Sequence, residues 1–362
     1  MTDRIPMIDL FAGCGGMSLG FRDHGFASIM AVEHDISAAS TYATNFSGSH
    51  VHAVDIATID DEDIPREARV IIGGPPCQGF SNLGSKDVDD PRNKLWKQYL
   101  RFVQVAQPDV FVLENVQRFQ KSSEFALLQA EAHHGMLRDY RLNSALLLAA
   151  DFGVPQRRPR TVVIGSRKEI SKRPLPMPTP THGRDEGFGI QPWVTVKERW
   201  AEVTPEVSRT TLPEGRTTDI LGTRLPGAYS AADIHVGRVP THLSLARYMD
   251  IPEGGNRFDI DRSRLSDCWL TSPTGHTDVM GRMRWNEPSL TIRTEFFKPE
   301  KGRYLHPDQH RPITHLEAAL LQDFPMSFQW VGSKVSIARQ IGNAVPRGLA
   351  AALARHVKHY LD

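Results

Sequence analysis

In the first half of the chain, short apolar runs alternate with stretches of helical periodicity. Runs rich in β-branched residues predict strands at residues 5–10, 28–32, 51–54, 70–72 and 110–113. Apolar positions at helical spacing predict helices at residues 37–45, 94–106 and 123–137. This alternation is typical of a doubly wound, mostly parallel α/β sheet. Residues 141–149 and 161–164 are expected to add an antiparallel pair at one edge of the sheet.

The second half of the chain has a different pattern. Prolines and glycines crowd residues 173–192, which predicts an extended linker, and residues 193–309 are irregular. Two helices are expected after that, at residues 312–324, with Pro312 at the helix start, and at residues 346–361. We therefore predict a large α/β domain formed by residues 1–175 and 335–362, and a smaller irregular domain at residues 176–334. The last helix is expected to dock on the large domain.

Composition narrows the class of protein. Its composition, with 40% hydrophobic and 23% charged residues, is typical of a globular protein. It has no apolar run of about 18 residues and no signal pattern at its start, so we expect a cytoplasmic protein without membrane association. The three cysteines lie at unrelated spacings, which disfavours a disulfide framework or a zinc site, and no metal is expected. The net charge of +1 does not by itself favour a nucleic-acid partner, and the basic run at residues 156–173 is also typical of a solvated face.

A glycine-rich turn follows the first predicted strand. It runs from Asp9 through Gly13 and Gly15, where glycines allow a sharp turn and the close approach of a ligand. Its spacing departs from G-x-G-x-x-G, which argues against a dinucleotide. Glu33 ends the second strand, where an acid can bind ribose hydroxyls, and Asp55, just past the third, could accept a hydrogen bond from an adenine amino group. The alternatives are a simple tight turn and, for Asp55, a helix cap.

A second group of residues has the chemistry of a reactive centre. Cys77 lies in GGPPCQGFS, directly after the fourth strand, on a loop rather than in the apolar run typical of a structural cysteine. Such a thiol can act as a nucleophile when nearby groups favour the thiolate. Glu114 ends the fifth strand, and the arginines of QRRPR, Arg158 and Arg160 among them, can bind a carboxylate or a phosphate. A solvent-facing loop acid is the alternative for Glu114.

The positions of these candidates agree with one another. Gly13, Glu33, Asp55, Cys77 and Glu114 each follow a predicted strand. The carboxyl ends of the strands of a doubly wound sheet line one crevice, so the five residues are expected to converge there.

With these motifs in hand, the chain resembles the bacterial cytosine-5 DNA methyltransferases of restriction–modification systems. The resemblance covers nearly the whole chain and rests on DLFAGCGG, VEHD, GGPPCQGFS, ENV, QRRPR, RPITHLEAALLQDFP and QIGNAVP in that order. It implies a parallel sheet with one antiparallel strand, and a small target-recognition domain in the irregular region. It also implies that S-adenosylmethionine is surrounded by Asp9, Phe11, Gly13, Gly15, Glu33, His34, Asp55, Pro76 and Asn343.

The resemblance further implies the chemistry. Cys77 is expected to attack carbon 6 of a cytosine that has swung out of the duplex, Glu114 to supply or share a proton at N3, and Arg160 to orient Glu114, with Arg158 also beside the base. The base that removes the hydrogen from carbon 5 stays open, with water as the simplest candidate. Double-stranded DNA is the expected partner, a companion restriction nuclease would act separately, and a monomer is expected. Arg224, Arg238, Arg257, Arg282 and Arg284 are candidates for reading guanine, although solvated side chains are the alternative.

Three other functions compete with this one. Relatives that act on transfer RNA carry a Cys-Phe-Thr signature in the smaller domain, whereas the cysteine there is Cys268, followed by Trp and Leu. A DNA-binding relative without catalysis would not need Cys77, Glu114 and Arg160 together. A nicotinamide dehydrogenase, which the fold alone suggests, fails on the glycine spacing and leaves GGPPCQGFS unexplained.

Overall fold

The computed structural model describes residues 4–76, 95–185, 187–271 and 274–362, and in this part of the chain the main sheet has seven strands. The order of these strands is β3-β2-β1-β4-β5-β8-β6. The strands of the described regions are β1 Ile5–Leu10, β2 Phe26–Val32, β3 Val51–His52, β4 Val70–Gly73, β5 Val110–Val116, β6 Tyr140–Leu148, β7 Gln156–Arg157, β8 Pro159–Arg167, β9 His182–Gly183, β10 Gln191–Pro192, β11 Thr217–Ile220, β12 Thr223–Pro226 and β13 Ser289–Leu290.

The main sheet is mostly parallel, as expected. Strands β1 to β5 pair in parallel, and β8 runs antiparallel to both of its neighbours. The predicted antiparallel pair of β6 and β8 is confirmed, but only β6 lies at the edge, because β8 is inserted between β5 and β6. The consecutive buried residues Val162, Val163 and Ile164 of β8 face both sides of the sheet, which is typical of a strand in the interior of a sheet that is covered on both faces.

Helices cover both faces of the sheet and fill part of the second half of the chain. Their bounds in the described regions are α1 Gly16–Arg22, α2 Ile36–Phe46, α3 Leu95–Ala106, α4 Ser123–His134, α5 Val196–Arg199, α6 His242–Asp250, α7 Asp267–Leu270, α8 His315–Leu321, α9 Lys334–Asn343 and α10 Arg347–Lys358. The last helix docks on the first one, as expected. Gly20 of α1 lies so close to the backbone of α10 at Ala350 and Ala351 that a side chain at position 20 would not fit.

The structure changes two helix predictions near the end of the chain. The helix expected from Pro312 begins at His315, because Thr314 caps it: the Thr314 hydroxyl accepts a hydrogen bond from the Glu317 amide, and the Glu317 carboxylate accepts one from the Thr314 amide. The last helix is confirmed and begins at Arg347, directly after Pro346 of QIGNAVP, whereas Asn343 of that motif ends α9, a helix that was not predicted from the sequence.

The irregular region is held against the rest of the molecule at several points. Leu175, within the predicted linker, is buried in the core that also contains α10, and Pro176 accepts a hydrogen bond from His356. A further apolar cluster joins Cys14 and Leu19 of the first half to α8 and α9. β13 also pairs in parallel with β7, which ties Ser289 and Leu290 to the first half of the chain. The division into domains at residues 175 and 335 stays a prediction.

Candidate active site

A cavity of about 810 Å³ lies at the carboxyl ends of the central strands. It brings together most of the residues expected from sequence, which come from both ends of the chain. Those that line it are Asp9, Phe11, Gly13, Glu33, His34, Asp55, Pro76, Glu114, Arg158, Arg160 and Asn343. Gly15 is not among the lining residues and instead precedes α1 as its N-cap. Cys77 lies outside the described residues.

The turn after β1 forms an open cradle beside Glu33. The Gly13 amide donates a hydrogen bond to Glu33 Oε2 at 2.8 Å, and Asp35 donates one to Oε1, also at 2.8 Å. Gly13 has φ +55°, and no atom lies within 4 Å of the position that a Cβ would take. Phe11 also has a positive φ, of 56°, a costly conformation for a residue with a side chain. The open space and the fixed carboxylate fit a ligand with hydroxyl groups.

Asp9 lies beneath this cradle and is fully buried. Burial raises the pKa of Asp9 to about 7, against the smaller opposing effect of a hydrogen bond from Ser18 Oγ at 2.6 Å. Ser18 Oγ also lies 2.8 Å from the hydroxyl of Tyr42. The three groups thus form a buried polar chain that anchors the end of β1 to α1 and α2, below the cavity.

Asp55 is both a helix cap and a residue of the cavity wall. Its Oδ1 accepts a hydrogen bond from the Ala57 amide and so caps a short 3₁₀ helix, while the residue also lines the cavity. His34 and Asn343 are exposed and line the same space. Asn343 lies at this cavity because it is the last residue of α9.

Glu114 and Arg160 form a buried ion pair on neighbouring strands. Arg160 Nε lies 2.7 Å from Glu114 Oε1, and the two side chains are only 12% and 10% exposed. Gly74 approaches from the loop after β4, and a Cβ there would lie 3.1 Å from Glu114 Oε2. The carboxylate is therefore held in a fixed orientation at the cavity wall, with one oxygen on the arginine.

Asn115 ties the next loop to the same strand. Its side-chain amide donates a hydrogen bond to the Pro75 carbonyl at 2.9 Å, and its Oδ1 accepts one from the Val116 amide. Asn115 is 6% exposed, so this contact is protected from water. It fixes the chain at Pro75 and Pro76, immediately before Cys77.

Arg158 differs from Arg160, because its terminal nitrogens are already bonded. They donate to the carbonyls of Ile292 and Gly342, each at 2.9 Å, and the residue is 2% exposed. Burial lowers its pKa, and the nearby Arg160 lowers it further. Arg158 therefore connects the strand that bears Arg160 to the segments on either side of the cavity.

Two buried glutamines complete this connection. Gln156 donates hydrogen bonds to Gln322 Oε1 and to the Leu321 carbonyl, both at 3.0 Å, and it accepts one from the Ile292 amide. Gln322 in turn donates to the carbonyls of Ile341 and Ala344 on either side of Asn343. Neither glutamine was predicted from the sequence as a site residue, nor was Arg339 of α9, which lines the cavity one turn before Asn343.

The family is decided by comparison with known proteins. The family model of the C-5 cytosine-specific DNA methylases matches residues 5–359. The chain belongs to this family. The Type II methyltransferase M1.HphI of Haemophilus parahaemolyticus is 33% identical over 98% of this chain and 86% of its own length. M.AgeI of Thalassovita gelatinovora, also a Type II methyltransferase, is 29% identical over 97% of this chain and 98% of its own length.

Solved structures agree with the fold of this methylase. A DNA modification methyltransferase encoded within a prophage, from E. coli, superposes with a TM-score of 0.74 at 26% identity over 99% of both chains. DNMT2 of Spodoptera frugiperda gives a TM-score of 0.58 at 18% identity, over 99% of both chains, which shows a shared fold alone.

Family membership confirms that the methylase is a DNA cytosine-5 methyltransferase. The nicotinamide dehydrogenase was therefore a wrong alternative, and the family and its Type II relatives support DNA as the substrate. Use of S-adenosylmethionine follows from the family in general. Within the described residues, no helix is long and apolar enough to cross a membrane, and no cluster of three or more metal-binding side chains occurs.

Proposed function

We propose that this methylase acts on carbon 5 of a cytosine flipped out of a specific duplex sequence, through a covalent bond between Cys77 and carbon 6. The observation that carries the proposal is the Glu114–Arg160 ion pair, 2.7 Å between Nε and Oε1, in the same cavity as the cradle at Gly13 and Glu33. Proton transfer and cofactor binding would thus share one enclosed space.

The cofactor fits the acidic and open part of the cavity. Glu33 would bind the ribose hydroxyls, Asp55 the adenine amino group, and Gly13 leaves room for close approach of the ligand. Asp9, Phe11, His34, Pro76 and Asn343 are proposed to complete the site, whereas Gly15 shapes the turn without lining the cavity. S-adenosylmethionine supplies an electrophilic methyl group when it is bound.

The assignment of Cys77 is supported by the state of the other two cysteines. Cys14 is buried, and burial raises the pKa of its thiol to about 12, so it is not a thiolate at neutral pH. Cys268 is exposed on the short helix α7 of the irregular region and does not line the cavity. Pro76, which precedes Cys77, lines the cavity beside Glu114.

Addition of the Cys77 thiolate to carbon 6 opens the 5,6 double bond and puts negative charge at N3, where Glu114 would supply or share a proton. Carbon 5 becomes nucleophilic and takes up the methyl group as the methyl–sulfur bond of the donor breaks, and the proton at N3 returns to Glu114. A base, with water as the simplest candidate, then removes the hydrogen at carbon 5 as a proton. The electron pair of that C–H bond re-forms the 5,6 double bond as the C–S bond breaks, which restores both the ring and the thiolate. Arg160 positions Glu114, and Arg158 is proposed to position Arg160 and Asn343 through its bonds to Ile292 and Gly342, since its terminal nitrogens are occupied.

The remaining expectations concern partners and organisation. Residues 176–334 are proposed to recognise the target sequence, and residues 1–175 and 335–362 to form the catalytic domain. Extrusion of the base costs about a few kcal/mol, which contacts to the duplex offset. A monomer in the bacterial cytoplasm, paired with a separate restriction endonuclease, is the arrangement that we propose from the Type II relatives.

Trapping with 5-fluorocytosine tests the covalent step. Fluorine at carbon 5 cannot leave as a proton does, so the C–S bond should persist. Duplex DNA carrying 5-fluorocytosine in place of cytosine, with S-adenosylmethionine present, should give an adduct that survives denaturing electrophoresis. Cys77→Ser should give none, whereas the matched control Cys268→Ser should behave as the wild type. An adduct with Cys77→Ser, or none with a wild type that methylates ordinary DNA, contradicts the proposal.

A further inference from the structure

A second cavity, of about 290 Å³, lies between β7 and the irregular region. Three arginines line it, Arg157, Arg284 and Arg303, together with the acids Asp278 and Glu287. Arg157 is the last residue of β7, and it lies three residues before Arg160, which pairs with Glu114. This cavity therefore adjoins the strands that carry the active site.

Two of the three arginines have side-chain N–H donors that are available to a ligand. The guanidinium of Arg303 is already hydrogen-bonded to the backbone, because it donates to the carbonyls of Gly254, Gly255, Arg282 and Thr277. Within the described chain, by contrast, no hydrogen bond from the Arg157 side chain is found, and its Nε is buried without an acceptor. Its guanidinium has five N–H donors, so most of these donors have no acceptor within the described chain.

Arg157 and Arg284 share a single carboxylate, at long range. Arg157 Nη2 lies 3.5 Å from Glu287 Oε2, and Arg284 Nε lies 3.6 Å from Glu287 Oε1. Both separations are longer than a charge-assisted hydrogen bond. The Arg284 guanidinium also packs on Gly254, and its Nη2 lies 3.5 Å from the Gly254 carbonyl. Glu287 thus holds the two guanidinium groups side by side without saturating either one.

A site with two such cations and one loosely held carboxylate suits an anion that offers several oxygens at short range. Arginine binds phosphate in this way, through parallel N–H donors. We propose that Arg157 and Arg284 together bind one backbone phosphate of the duplex, and that Glu287 keeps them positioned while the site is empty. The inference rests on the proposed action on duplex DNA. Such a contact sets orientation and affinity, and carries no sequence information.

Salt dependence of DNA binding tests the inference without knowledge of the recognised sequence. The probe is a mixed-sequence duplex in the presence of S-adenosylhomocysteine, with affinity measured by fluorescence anisotropy over a series of salt concentrations. Loss of one phosphate contact makes the plot of log K against log salt shallower by about 0.9. Arg157→Ala and Arg284→Ala should each give this change, and the double variant should add little more, because both side chains bind the same phosphate.

Glu287→Gln should have the opposite effect on affinity, since it removes a competing carboxylate, and DNA binding should tighten several-fold at low salt. Arg138→Ala is the matched control, because Arg138 is 74% exposed and precedes β6 at the other end of the sheet. Its slope should equal that of the wild type.

The outcomes separate the inference from the proposed function. An unchanged slope for Arg157→Ala, in a variant that still binds S-adenosylhomocysteine as the wild type does in calorimetry, overturns the phosphate site alone. If the slope change of the double variant equals the sum of the changes of the two single variants, the two arginines do not share one phosphate. A wild type that binds no duplex at any salt concentration would instead count against the action on duplex DNA.

Discussion

Arg160 Nε lies 2.7 Å from Glu114 Oε1, across the paired strands β5 and β8. The register of these strands places Arg160 opposite Val116, two residues beyond Glu114, so the arginine reaches back along the sheet to the carboxylate. Because both side chains are about nine-tenths buried, removal of one partner would leave the other charge with little water. This pair is the part of the candidate site that depends most directly on the antiparallel strand.

Glu114→Gln should lower kcat by roughly 10²–10⁴-fold, because the amide cannot supply or share the proton at N3. DNA affinity should change far less, since the amide keeps the size of the carboxylate. Single-turnover methylation and anisotropy with the same duplex measure the two quantities. Equal losses in both would recast Glu114 as a structural residue.

Asn115→Asp should slow formation of the 5-fluorocytosine adduct, because the acid keeps the acceptor for the Val116 amide but loses the donor to the Pro75 carbonyl. A buried carbonyl without its donor destabilises the folded protein by about 1–3 kcal/mol. Loss of this hydrogen bond therefore leaves the chain just before Cys77 less firmly held. Adduct formation over time should therefore be slower, while calorimetric binding of S-adenosylhomocysteine stays close to normal. An unchanged rate would show that this hydrogen bond does not position the loop.

Gln322→Met should weaken cofactor binding from a distance. The variant removes the donor to the carbonyls of Ile341 and Ala344, which flank Asn343. Two unsatisfied buried carbonyls predict a loss of roughly 2–6 kcal/mol in the free energy of unfolding. We expect a higher Kd for S-adenosylhomocysteine together with a lower urea midpoint.

The exposed Gln104 of α3 provides a matched control for this substitution. Gln104→Met should leave both the Kd and the urea midpoint unchanged. A Gln322→Met protein that loses stability but keeps the wild-type Kd would separate the buried network from the cofactor site.

The pH dependence of stability should carry a contribution from His306. Burial lowers the pKa of His306 to about 4, and its Nδ1 accepts hydrogen bonds from the amides of Asp308 and Gln309. In the unfolded chain the imidazole takes up a proton near its ordinary pKa of 6.5. The stabilising contribution is therefore present above pH 6.5 and is lost as the pH falls towards 4, by at most about 3 kcal/mol.

His306→Asn keeps an acceptor for the two amides but does not titrate in this range. The difference in unfolding free energy between wild type and variant should therefore shrink as the pH falls from 7 to 5 in urea titrations. A constant difference across that range would show that His306 is not the group that resists protonation.

The parallel strands and the place of the cavity follow from the sequence, because both depend on local patterns. Short runs rich in β-branched residues predicted the five parallel strands, and the position of Glu33, Asp55 and Glu114 after those strands predicted where they meet. Helix limits were less well predicted, since they depend on caps. The Thr314–Glu317 capping box, visible in the sequence as T-x-x-E, was the signal that could have corrected α8.

Contacts between distant segments could only come from the tertiary structure. The family resemblance assigned Arg160 to Glu114 and placed Arg158 beside the base, yet the terminal nitrogens of Arg158 donate to the carbonyls of Ile292 and Gly342. The same holds for Gln156 and Gln322, which are 166 residues apart and joined by a 3.0 Å hydrogen bond. Periodicity and motif spacing describe what each segment does by itself. The partner of a buried donor is decided by which carbonyl or carboxylate the fold brings within reach, and the fold selects that partner because a buried donor left unpaired would cost free energy.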